Sequence, residues 1–143
     1  MREVEGNLWD YPADWRVIPT NGFVKRNGAA VMGRGLALQA TERFPGLAYV
    51  LGKELLEQGN HVHLLPEFSL VTFPVKHNWW EDASLELIER SVKELKLLFV
   101  TGDMLSVSLP RVGCGNGRLS WDDVKPLLVG LDYRFTVVYP SED

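Results

Sequence analysis

One cysteine stands in a chain of 143 residues. An internal disulfide framework is excluded, and the composition fits a reducing compartment, so a cytoplasmic protein is expected. No apolar run approaches the ~20 residues a membrane span needs. The opening residues, MREVEGNLWD, carry charge where an export signal needs apolar side chains. Neither membrane attachment nor export is therefore expected. Repeats, low-complexity tracts and linkers are also missing. No G-K-[ST] occurs, and Gly33-Arg34-Gly35 lacks the third glycine of G-x-G-x-x-G, so the chain has neither a triphosphate nor a dinucleotide fingerprint. Excess positive charge is absent too. The net charge of −4 argues against strong non-specific binding to nucleic acid, though not against a local basic patch.

What remains is an ordinary globular composition, 45% apolar and 24% charged, at a length suited to one domain. Two periods organise the apolar residues. RVIPT (16–20), HVHLLP (61–66), SLVTFPV (69–75), LSVSLP (105–110) and RFTVVYP (134–140) are short, rich in valine, leucine and phenylalanine, and bounded by turn residues. They read as strands, several of them buried on both faces. REVEGNL at the start is a further edge-strand candidate. Between them, a helix is expected from Gly35 to Pro45, and a second from about Leu47 to Glu57, closed by Gly59. The clearest helix covers 84–99, with Leu85, Ile88, Val92, Leu95 and Phe99 as its apolar stripe and Glu86–Arg90 and Glu89–Lys93 as i,i+4 pairs. Ser120 with Asp123 resembles a capping box opening a last helix that contains Pro126. Alternating strands and helices predict an α/β sheet covered on both faces, with ligands at the carboxyl ends of the strands.

The unusual polar residues fall at those ends. NGFVKRNGAAVMGRG (21–35) holds four glycines and two asparagines before a helix. RVGCGNGR (111–118) is a second glycine-rich passage from strand to helix, and KHNWW (76–80) follows a third strand. Glycine lets backbone N–H groups approach an anion, and the following helix dipole favours it. Lys25, Arg26, Arg34, Lys76, Arg111 and Arg118 all lie in these loops, so an acidic chain is basic where its ligand is expected. Plain turns solvated by arginines are the competing explanation.

Three blocks, NGAAVMGRGLALQATERFP, FPVKHNWWEDASLELIERSVKEL and SLPRVGCGNGRLSWDDV, resemble in that order a macro domain. More narrowly they resemble the branch holding the terminal ADP-ribose protein glycohydrolase and the DNA ADP-ribosyl glycohydrolase antitoxins. The resemblance implies a three-layer α/β/α fold with a mixed, mostly parallel sheet, residues 1–143 forming a single macro domain, and an ADP-ribose cleft across the strand ends. Asn7 and Leu8 would meet the adenine, Asn7 standing where the family has an acidic residue. A carbonyl can still accept from the amino group but loses the charge-assisted bond. Asn21 and Asn27 would hold the terminal ribose, Asn27 by its spacing to Met32. Met32, Gly33, Arg34, Gly35 and Leu36 would line the ribose and diphosphate. Pro110, Val112, Gly113, Cys114, Gly115, Asn116, Gly117, Arg118 and Leu119 would wrap the diphosphate, and Tyr139 would offer a stacking surface.

The same resemblance makes Lys76 the catalytic residue, eight residues before the helix start at Ser84. A free amine can attack the anomeric carbon of the ribose, and an ammonium can stabilise a leaving group. Burial would lower the lysine pKa and a diphosphate would raise it. The protein-directed branch member has a second catalytic residue, an aspartate, just after the cysteine-glycine step. Here Gly117 stands in that place, as in the DNA-directed members, so activity would rest on Lys76 with His77 or water carrying the proton. A glycohydrolase acting on ADP-ribosylated DNA rather than protein is the expected function. A non-catalytic ADP-ribose reader and an ADP-ribose 1″-phosphate phosphatase are the alternatives. No cofactor and no metal are expected, and the protein is expected to act as a monomer. His61 and His63, placed on one strand face, lack a third metal ligand. Cys114 has no histidine near it in sequence and reads as a plain loop thiol rather than a nucleophile. Trp79 and Trp80 read either as core or as a platform on which a base stacks.

Overall fold

The computed structural model describes residues 1–100 and 105–141. Six strands form one sheet: β1 (Arg2–Glu5), β2 (Trp15–Thr20), β3 (His63–Leu65), β4 (Leu70–Pro74), β5 (Val107–Leu109) and β6 (Phe135–Tyr139). Their spatial order is β1-β6-β5-β2-β4-β3, and every neighbouring pair is parallel except β3 with β4. Four helices accompany them: α1 (Gly35–Arg43), α2 (Leu47–Gln58), α3 (Leu85–Leu98) and α4 (Trp121–Leu128). The sheet is therefore mixed and mostly parallel, with REVE at one edge and β3 at the other.

Side chains alternate across the strands and divide the core in two. Val17, Val71, Phe73, Val107, Leu109, Phe135 and Val137 point into one layer, where Ile88, Val92 and Leu95 of α3 and Val124 and Leu128 of α4 meet them. Ile18 and Leu70 point the other way, onto Ala40 of α1 and Leu47, Leu51 and Leu55 of α2. This is a three-layer α/β/α arrangement. β4 and β5 are buried along their whole length, polar Thr72 and Ser108 included, which explains why neither carries a charged side chain.

Three local expectations change. Leu85 leaves the stripe of α3 and is 39% exposed, because the helix rotates Leu87 and Ser91 into the core. Ser91 is admitted there because its hydroxyl donates to the Pro74 carbonyl at 2.7 Å. Glu89–Lys93 forms at 3.6 Å, but Arg90 turns to Glu94 and the Asn60 carbonyl rather than to Glu86. His61 precedes β3 instead of sharing a face with His63. It meets Glu94 of α3, while His63 bonds the Gly59 carbonyl at the end of α2, so the pair diverges. Ser120 does cap α4, accepting from the Asp122 N–H at 3.2 Å.

One close packing fixes the first glycine-rich loop. The loop forms a small hairpin, bridged at Val24 and Ala30, that lies on α2, with the Ala30 N–H donating to the Ala48 carbonyl. A Cβ at Gly52 would lie 1.9 Å from the Gly28 carbonyl oxygen. In an ordinary helix interior, Gly→Ala stabilises by about 1 kcal/mol. Here the obstacle is backbone, and overpacking of this kind costs ~1–3 kcal/mol. Gly52→Ala is expected to lower the melting temperature and to speed amide exchange in residues 23–31. A raised melting temperature would contradict this packing.

Candidate active site

Five strands run parallel, so five carboxyl ends share one edge of the sheet. A cleft of about 1080 Å³ follows that edge, from Gly6–Leu8 and Val138–Ser141, past Pro110–Arg111 and Pro19–Asn21, to Val75, Lys76 and Trp79. The chain crosses over at β2, which has β5 on one side and β4 on the other. Such a switch point leaves a crevice because the loops from its two sides diverge. Residues 31–37 and 113–117 form the walls.

Lys76 follows β4, and its backbone is held on several sides. The Val75 N–H donates to the Thr20 carbonyl, and the Val75 carbonyl accepts from the Ser84 N–H at the start of α3. Asn60 Nδ2 donates to the Lys76 carbonyl at 3.2 Å, and the Gly22 N–H donates to the His77 carbonyl at 2.9 Å. Ser91 fixes Pro74 from below. The side chain is thus aimed from a rigid stem into the end of the cleft. Partial burial lowers the amine pKa from its usual value, and repulsion from Arg34 and Arg118 lowers it further, while Asp82 and Glu81 oppose the shift.

The first wall begins at Asn21, which is buried and bonded at both ends of its amide. Nδ2 donates to the Val31 carbonyl, and Oδ1 accepts from the Phe23 N–H. It staples the base of the hairpin and still lines the cleft. Asn27 does not reach the cleft. It sits at the exposed hairpin tip, where Oδ1 accepts from the Ala29 N–H and Nδ2 contacts the Tyr49 hydroxyl. Two asparagines compete for one role by spacing, and the hairpin carries the second away. Met32, Gly33, Arg34, Gly35 and Leu36 line the wall as expected. α1 opens there with no acidic residue in its first turn and no side-chain cap, so its first N–H groups face the cleft unneutralised.

The second wall is nearly all backbone. A Cβ at Gly117 would lie 2.5 Å from the Gly113 carbonyl oxygen and 2.7 Å from Ala83 Cβ. Gly113 has φ 77° and would place a Cβ 2.8 Å from Ile88. Asn116 closes toward the first wall, its Nδ2 2.9 Å from where a Cβ at Gly35 would stand. Pro110, Cys114 and Gly115 complete the lining. Three expected residues fall outside it. Val112 is fully buried among the core side chains, Leu119 packs against the same core, and Arg118 points to solvent, 3.9 Å from Asp82. They flank the tight Gly113 turn and leave it in directions that spacing alone does not reveal. Burial raises the Cys114 thiol pKa despite Arg111 nearby, the opposite of what an activated nucleophile needs.

At the far end, Asn7 lies on the cleft with Leu8 beside it. Asn7 Oδ1 already accepts from the Trp9 N–H at 2.8 Å, leaving one lone pair free. Arg16 of β2 ties this segment down by donating to the Leu8, Trp9 and Tyr11 carbonyls. Tyr139 is present, but one face of its ring is covered by the Arg111 guanidinium at 4.0 Å. Arg111 also stacks on Trp121 at 5.2 Å and lies 3.9 Å from Glu3. Arg111, Gln39 and Trp79 are lining residues beyond those the resemblance supplies. The basic character of the loop pointed to Arg111; nothing in the sequence pointed to Gln39 or to the Asn60 clamp. His77 is exposed and is not among the lining residues, its ring 3.3 Å from Asn60, so it is a poor proton carrier for Lys76.

No family model matches the chain. A DNA ADP-ribosyl glycohydrolase from Thermus aquaticus is 28% identical over 142 residues, covering 87% of this chain and 36% of that protein. The chain thus spans about a third of that relative's length. Among solved structures, the macrodomain of Mycobacterium tuberculosis DarG superposes with a TM-score of 0.79 at 25% identity, over 98% of both chains. Thermosipho africanus DarTG in complex with ADP-ribose gives a TM-score of 0.77 at 18% identity, over 98% of this chain and 42% of that one, a likeness of fold. Sheet order, cleft and sequence similarity together support a macro domain of the branch that contains the DarG macrodomains.

Proposed function

We propose that the chain releases ADP-ribose from ADP-ribosylated DNA, using Lys76 at the terminal ribose. The observation that carries this reading is the rigidly held, partly desolvated Lys76 at one end of a cleft walled by a glycine-rich loop and the uncapped start of α1. ADP-ribose suits the cleft along its whole length. Adenine would lie between Asn7 and Val138–Pro140, the diphosphate against Gly113–Gly117 and the start of α1, and the terminal ribose near Asn21 and Lys76. The relatives' names give the DNA-linked substrate. The packing at Gly117 supports it, since an aspartate there would collide with backbone.

The lysine chemistry follows from its environment. The neutral amine attacks the anomeric carbon, and the bond to the base breaks with its electron pair passing to the base. The amine proton goes to the departing base, directly or through water. The glycosylamine opens to a Schiff base, and water returns free lysine and ADP-ribose. This sequence asks for no metal or cofactor. The cleft is complete within one chain, which suits a monomer, and the single unactivated cysteine suits a reducing cytoplasm.

Incubation with ADP-ribosylated oligonucleotide and with ADP-ribosylated protein tests the reading. Release from DNA is expected, and Lys76→Ala is expected to slow it by on the order of 10²-fold or more while free ADP-ribose still binds. Binding without turnover of either conjugate would make the chain a reader instead. The pH profile gives a second check. A depressed lysine pKa leaves more neutral amine at a given pH, so kcat/KM should rise with pH along a limb below the ordinary lysine value of ~10.4. Arg34→Gln removes one repelling charge and should move that limb to higher pH; a limb that stays put would contradict the assigned role of the field. Gly117→Asp should destabilise the fold and add no activity toward ADP-ribosylated protein, as read by thermal melts and the same release assay.

A further inference from the structure

Two tryptophans stand in the open at the Lys76 end of the cleft. Trp79 is 50% exposed and lines the cleft; Trp80 is 60% exposed and lies just beyond it. Neither belongs to the core, so burial does not account for them. They are the central residues of a turn closed twice, by the Glu81 N–H on the Asn78 carbonyl and by the Asn78 N–H on the Glu81 carboxylate at 2.6 Å. That closure presents both indoles outward in a fixed arrangement. The rings meet edge to face, with centroids 5.5 Å apart at 89°, and Phe23 braces Trp80 from the hairpin at 5.7 Å.

The surroundings complete a track. Phe23 begins the hairpin whose exposed tip carries Lys25 and Arg26. With ~3.3 Å per residue, Lys25 stands about 7 Å along the hairpin from Phe23. Of the two acidic neighbours, Asp82 lies 3.9 Å from Arg118, and Glu81 is turned back onto the Asn78 N–H while keeping its charge. Beyond Lys76, aromatic faces therefore come first and cations next, although the chain as a whole carries a net charge of −4.

We infer that Trp80, braced by Phe23 and flanked by Trp79, is a stacking platform for a nucleobase of single-stranded nucleic acid next to the modified nucleotide, with Lys25 and Arg26 receiving its phosphates. This rests on the proposed function, which puts the scissile bond at Lys76 and so sends the rest of the substrate out over these rings. A flat π surface accepts any base, and nearby cations follow the backbone, the combination used for strands read without sequence preference. A polypeptide substrate would have no matching use for planar platforms followed by paired cations.

The test compares wild type with Trp80→Ala on three probes: a short ADP-ribosylated single-stranded oligonucleotide, an ADP-ribosylated mononucleoside and free ADP-ribose. Stacking lost at one base predicts an about tenfold or larger fall in kcat/KM on the oligonucleotide, through KM. The mononucleoside rate and the affinity for free ADP-ribose should stay within about twofold, and Trp80→Phe should recover most of the loss. Equal losses on oligonucleotide and mononucleoside, or no loss on either, would overturn the platform. Should wild type fail to turn over the oligonucleotide, the proposed function fails. The platform is then judged by anisotropy with an unmodified oligonucleotide, where binding that does not weaken in Trp80→Ala, or is absent from wild type, overturns it.

Discussion

Five parallel strands end along one edge, and the cleft on that edge is closed by backbone in contact with backbone. At Gly117 and Gly113 the second wall folds so tightly that neither position has room for a Cβ. At Gly52 the helix gives way to the hairpin that carries the first wall. These close approaches leave walls of backbone with little side-chain bulk, next to the uncapped start of α1. A wall of that kind suits an anion, because its donors are fixed before the ligand arrives and cost little to organise. It also decides what chemistry is available. With no space for a carboxylate at 117, the proposed chemistry draws on Lys76, whose stem is held rigid.

The field around Lys76 adds to that constraint. Desolvation and the cations Arg34 and Arg118 act in the same direction on its amine, and Asp82 and Glu81 offset them only in part. Arg34 lines the cleft, so a cation that would attract a diphosphate also keeps the lysine amine basicity low. An arriving diphosphate would offset that charge, so binding and reactivity are coupled through it. Ser91, Asn60 and Gly22 contribute no charge, but they hold Pro74, Lys76 and His77 in place from three different elements.

Much of this was legible in the sequence because it rested on local signals. Short runs rich in valine, leucine and phenylalanine marked the strands, β4 and β5 among them, and glycines with nearby arginines marked the two loops that form the walls. Ser84 and Ser120 announced helix starts that the structure contains. What stayed hidden depended on direction or distance. Asn21 and Asn27 share a residue type and a loop, and only the hairpin, folded onto α2, separates one in the cleft from one at the tip. Val112 and Leu119 flank the Gly113 turn and were expected in the wall, yet the turn sends both to the core. The Asn60 clamp spans 16 residues to the Lys76 carbonyl and has no motif. Leu85 fits a helical stripe by spacing but lies on the first exposed turn, where the buried polar Ser91 shifts the packed face around the helix.

The central claim concerns one distance. A crystal structure with ADP-ribose bound measures it directly: the account predicts the Lys76 amine within about 3.5 Å of the anomeric carbon of the terminal ribose, the separation of a near-attack arrangement. The same structure should show the diphosphate on the backbone of Gly113–Gly117. A lysine amine bonded to the diphosphate instead, with the anomeric carbon out of its reach, would contradict the account.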